Sequence, residues 1–144
     1  MYATIADMIQ AFGTDELIEL TDRADPPLDA IDETVLNAAL AAASSEIDGY
    51  VGAVAKLPLA SVPDNLRGLA CVITRYRLST DQSQGRVRQD YEDAVTTLRD
   101  IARGLIKLDV PDGGPAPEPA PAAKVLGKSA PQIFTPERLG GNWP

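Results

Sequence analysis

Leu36, Leu40, Ala43, Ile47, Tyr50 and Val54 recur at spacings of 4, 3, 4, 3 and 4. An apolar residue every three or four positions draws one stripe along an α-helix and does not keep to one face of a strand, so this stretch reads as a helix. Asp32 stands where an N-cap belongs, Glu33 falls in the first turn where the helix dipole favours a carboxylate, and Ile31 can close a hydrophobic staple with Leu36. The spacing predicts a helix over 33–55, about 35 Å long at roughly 1.5 Å per residue. Ala38, Ala39, Ala41, Ala42 and Ala43 thin its flanks, which lets other helices approach closely.

The same rhythm appears twice more. Val62, Leu66, Leu69, Ile73 and Tyr76 repeat at 4, 3, 4 and 3, with Pro63 suited to a first helical turn, Ser61 or Asp64 available as caps and an end near Leu78. From Val87 the series Tyr91, Ala94, Leu98, Ile101 and Leu105 does so again, with Gly104 as a stop. Near the amino terminus Thr4, Asp7, Ile5, Met8, Ile9 and Phe12 form a short capped pattern closed by Gly13, and "TDELIELTD" adds a turn or two. Asp25, Pro26, Pro27 and Asp29 mark a loop. The segment "LIKLDV" could be extended, but one strand makes no sheet. The expected fold is all-α, a compact bundle of about four helices. Gly49, Gly52 and Pro58 read as backbone devices at the end of the central helix, where Leu57-Pro58-Leu59 forms an elbow.

Eight of the twelve prolines lie from Pro111 onward. This composition predicts a helical domain over 1–108, a Pro/Ala/Gly-rich linker over 109–130 and a carboxy-terminal docking arm over 131–144. The arm's Ile133, Phe134, Leu139 and Trp143 are too apolar for a solvating tail and are the candidate anchors on a partner.

The sequence holds no histidine, so histidine-activated nucleophiles, histidine metal sites and imidazole switches are out of reach. Cys71 in "LACVIT" reads as a small buried hydrophobe, and a single cysteine excludes an internal disulfide. No apolar run reaches the roughly 18 residues of a membrane helix and no signal peptide is readable, so a soluble protein is expected. The net charge of −8 is uneven: residues 1–60 carry eleven acids against Arg23 and Lys56, a net −9, whereas residues 61–144 carry ten acids against eleven bases, a net +1. A nucleic-acid binder shows the opposite bias. Asp15, Glu16, Glu19 and Asp22 lack the spacing of a calcium loop and read as a solvated helical face. Arg75 and Arg77, which flank Tyr76, are candidates for contact with a partner, as are Tyr50, Leu57 and Leu59. Nothing in the residues requires a catalytic centre, a cofactor or a metal.

"MYATIADMIQAFGTDELIELTD", "AASSEIDGYVG", "KLPLASVPDNLRGLACVITRYRL" and "RVRQDYEDAVTTLRDIARGLIKL", in that order, together resemble the small head-to-tail connector (neck adaptor) proteins of Mu-like phages and prophages, over roughly residues 1–108. The resemblance implies a helical virion protein of the neck, assembled in the host cytoplasm as a ring of identical subunits, a dodecamer, beneath the portal protein. Such a ring extends the DNA channel, offers a platform to the stopper or tail, and lets DNA pass without sequence-specific binding and without a membrane. Carboxy-terminal arms of such connectors reach onto the portal. Two other readings stand beside it: a helical protein–protein interaction module outside any virion, and an enzyme using a metal held by Asp15, Glu19 or Asp22.

Overall fold

The central helix starts where the sequence places it. Asp32 caps it by accepting the amides of Thr34 and Val35 at 2.9 and 3.1 Å, and Ile31 and Leu36 both pack into the core. In this computed structural model, which describes residues 1–79 and 85–110, the chain forms α1 (Ile5–Phe12), α2 (Thr14–Thr21), α3 (Glu33–Val51), α4 (Asp64–Leu78) and α5 (Arg86–Ala102), with no strand among the described residues. Leu36, Leu40, Ala43, Ile47 and Val51 of α3 are all sealed from solvent.

The helix ends at Val51, short of the expected residue 55, because the next turn tightens: the amides of Ala53 and Val54 bond back only three residues, to Tyr50 and Val51. Gly52 sits where the elbow comes back close to the helix end. A Cβ there would stand 3.0 Å from the Asp48 carbonyl and 3.4 Å from Leu57 Cδ1, so the glycine lets the elbow fold back against the helix end.

The link over residues 52–63 returns the chain along α3 as α4, and α5 then comes back along α4 while touching α3. α1 lies against α4 and α3, and α2 closes the end of the bundle against α3. The segment expected as a turn or two is a full helix of 8 residues, so the described residues form five helices within the expected compact all-α bundle. Burial decides this: Leu17 is wholly inside, and Thr21 fastens the helix end by donating to the Leu17 carbonyl at 2.7 Å while accepting the Asp32 amide at 3.0 Å. Thr4 and Asp7 form the capping box of α1, and Gly13, at φ +86, makes the corner between α1 and α2.

Two other local expectations change. Neither Ser61 nor Asp64 caps α4; Pro63 takes the cap position, and Asp64, one residue too late, points outward to Arg67 at 3.0 Å. Leu105 does not extend the α5 seam. Gly104, at φ +76, reverses the chain so that the Leu105 amide bonds to the Asp100 carbonyl and the Gly104 amide to that of Ile101, a Schellman ending that leaves Leu105 72% exposed.

The core is one cluster. Leu66, Ile73, Leu98 and Ile101 are fully buried with the α3 stripe, whereas Leu69 and Tyr91 are half-buried against it. The linker from residue 111 and the arm with Ile133, Phe134, Leu139 and Trp143 lie outside the described residues. Leu40 is 1% and Ile73 0% exposed, so Leu40→Ala or Ile73→Ala should each cost about 2 to 5 kcal/mol in chemical denaturation. A loss below about half a kcal/mol at both positions would contradict this packing.

Candidate interaction surfaces

Three helices meet at Glu46. One oxygen of this α3 carboxylate accepts the Tyr91 hydroxyl of α5 at 2.8 Å, and the other accepts Arg77 Nη2 of α4 at 2.7 Å. The Tyr91 ring lies flat on Tyr76, with centroids 4.0 Å apart and planes 9° from parallel. Burial, then the Glu46 carboxylate, raises the Tyr91 phenol from its ordinary 10.0 to about 12. Tyr50, one turn along α3 from Glu46, is half-buried against the core. The structure thus gathers Tyr50 and Arg77 into one cluster and gives Arg77 an internal partner, although its side chain remains 40% exposed.

Arg75 has more partners still. Its Nε donates to Glu16 Oε1 of α2 at 2.5 Å, its Nη1 lies 3.9 Å from Asp90 of α5, and its guanidinium sits 4.7 Å above the Phe12 ring of α1. One side chain therefore pins four helices at the α2 end of the bundle.

The amino terminus is tied to α3 on either side of Glu46. The Tyr2 amide donates to Ser44 Oγ at 3.2 Å, and its hydroxyl donates to Asp48. Burial and Asp48 hold that phenol well above the usual tyrosine range. Leu57 and Leu59 are half-buried beside it and, with Tyr2, Pro58 and Val62, line a cleft of about 360 Å³. A second, more open cleft of about 610 Å³ runs between α1 and α4, lined in part by Gln10, Phe12, Arg67 and Cys71. Burial, reinforced by the nearby Asp7 charge, pushes the Cys71 thiol up to about 11.

The four acids of the α2 region do different things. Glu16 serves Arg75, whereas Asp15 and Glu19 are exposed. Asp22 accepts the amides of Ala24, Leu28 and Asp29 at 3.2, 2.7 and 2.8 Å. Desolvation raises its carboxyl, but these backbone donors outweigh it and leave the group below the usual carboxylate range. Among the described residues no three metal-ligating side chains gather, and no helix is long and apolar enough to cross a membrane.

The family model described as "Bacteriophage Mu, Gp36" matches residues 2–126. The chain belongs to this Mu Gp36 family. It is 31% identical to Gene product J of Escherichia phage Mu over 139 residues, covering 96% of this chain and 97% of that protein. It is also 39% identical over 87 residues to the Mu-like prophage FluMu protein gp36 of Haemophilus influenzae, a match spanning 60% of this chain and 62% of that relative. The matched residues run beyond the helical bundle into the proline-rich stretch, so family membership covers part of the expected linker as well.

Sequence reasoning missed Tyr2, Glu46 and Asp48 as organising residues. The available signal was weak: Glu46 and Tyr50 lie four apart on the seam side of α3, a polar group beside an apolar stripe. The raised phenol of Tyr91 favours its neutral form. Its contribution to stability is therefore whole below pH 10.0 and is lost as pH rises toward about 12. The stability gap between the parent and Tyr91→Phe should shrink over that window, and tyrosinate absorbance should show one late-titrating group fewer in the variant. A Tyr91 that ionises at the ordinary 10.0 would rule out the Glu46 clasp in solution.

Proposed function

We propose that this chain is a structural virion protein, the head-to-tail connector of a Mu-like phage, forming a ring of identical subunits under the portal protein that extends the DNA channel and carries the stopper or tail. The observation that supports the phage part of this reading is the match to Gene product J of phage Mu over 97% of that protein's length, and the connector role is the proposal added to it. The form of the domain agrees with it. Arg75, Arg77, Glu16 and Glu46 are engaged in holding helices together, which suits a rigid building block. The chain carries 34 further residues from Pro111, which at about 3.1 Å each in a polyproline-like form would reach at most about 100 Å, far beyond one domain of this size. In the proposal Ile133, Phe134, Leu139 and Trp143 anchor that arm on the portal or on neighbouring subunits. The acidic amino-terminal half, at net −9, keeps the subunit as a whole from attracting phosphates, which suits a channel that DNA slides through.

The test is assembly. Heads made without this chain should fill with DNA and fail to take tails, and labelled protein should appear at the head–tail junction in electron micrographs. A chain ending at Leu108 should keep its helical circular dichroism and lose stable attachment to portal-containing heads. Attachment of the shortened chain at full occupancy would remove the arm from the proposal, and normal tailed particles formed without the chain would remove the connector role.

A further inference from the structure

The two ends of the bundle carry opposite charge, and each presents an exposed leucine. At the end of α5, Arg99, Arg103 and Lys107 are exposed, and no described carboxylate lies within 4.0 Å of any of them. Leu105, 72% exposed, and Ile106, 37% exposed, stand between them, and the Gly104 reversal fixes their direction. Residues 99–107 hold these three bases against Asp100, a net +2.

The loop joining α2 to α3 is the complement. Residues 22–33 hold five acids against Arg23, a net −4, and Asp25, Asp29, Asp32 and Glu33 are exposed. Leu28, 74% exposed, sits among them and, with Ala30 and Ile31, lines a cleft of about 350 Å³. The loop is held in shape, since Asp22 takes three of its amides and Asp32 caps α3.

The two patches lie toward opposite ends of the bundle. Glu46 and Tyr91 meet at one level. From there α5 rises about 17 Å to Ala102, while α3 runs back about 20 Å the other way to Glu33, at about 1.5 Å per residue.

We infer that copies of this chain associate head to tail, the Arg99–Lys107 end of one docking on the Asp22–Glu33 loop of the next. The inference rests on the ring reading above and supplies its contact surfaces. Unlike patches at opposite ends make a heterologous contact, the kind that closes into a ring or continues as a filament. The chain's own residues 111–144 are the other candidate cover for the basic end, but they hold three acids against three bases, a net 0. Charge favours a second copy's loop.

The experiment is sedimentation velocity on the full chain at low and high ionic strength. Wild type should associate at low salt and weaken at least about tenfold at high salt, as a contact between exposed charges does. R99E/R103E/K107E leaves both ends acidic, and D25K/D29N/E33K leaves both basic; Asn at 29 suits the left-handed backbone there, at φ +52. Each variant alone should be monomeric with its helical circular dichroism intact, and R103E/K107E, which spares the helix interior, should behave likewise. Mixed in equal amounts, the acidic and basic variants should re-associate, because each restores the other's missing sign. Wild type that stays monomeric, a variant that associates like wild type, or a mixture that fails to recover would each overturn the contact. Loss at the basic end alone, with the loop variant unaffected, would overturn it too and assign the cover to the arm. Head attachment is scored separately, so a monomeric chain that still joins heads sinks this contact and leaves the connector reading standing.

Discussion

Burial of the α3 stripe is the condition on which the rest of the fold depends. Leu36, Leu40, Ala43, Ile47 and Val51 are all removed from water, and each large side chain so buried contributes about 1.5 to 3 kcal/mol. No single helix can cover a stripe that long. α4 and α5 make most of its cover, and the short α1 and α2, too brief to be stable alone, gain their order by packing against it as well. The alanines beside the stripe make this possible by letting helix backbones come near.

Apolar contact alone would let these helices slide by a turn, since one leucine layer resembles the next. The polar ties remove that freedom. Glu46 admits only the register in which Tyr91 and Arg77 arrive together, and Arg75 does the same for α2 and α5. Both sites are partly screened from water, where a hydrogen bond to a charged group counts for more than on an open surface. These arginines therefore act as register pins within the domain, whatever else their exposed faces touch.

The local rules read α3 well because its determinants are neighbours in sequence: Asp32 caps two amides close by, and a 4-3 repeat needs no knowledge of partners. The same holds for Gly13 and Gly104, where a positive φ names the residue. What was not legible depended on distance along the chain. Arg75 reaches a glutamate 59 positions away, Arg77 one 31 away, and Tyr2 an aspartate 46 away, and no local pattern distinguishes them from solvated surface charges. α2 was read short because eight residues with a modest stripe look like a turn until Leu17 is seen inside. For the candidate surfaces, sequence placed Tyr50 on the α3 seam, but did not show that Leu57 and Leu59 would also give much of their area to the core. Ile133, Phe134, Leu139 and Trp143 remain legible only as composition.

Cys71 lies on the floor of the α1–α4 cleft, buried, and its thiol is raised to about 11. At neutral pH very little of it is thiolate, so its alkylation in the folded protein is slow. Because it is the sole cysteine, the chain carries its own reporter. The rate at which Cys71 is alkylated in the native protein reports how accessible the α1–α4 cleft is. Comparing that rate in free and assembled protein would show whether assembly covers this cleft or leaves it open.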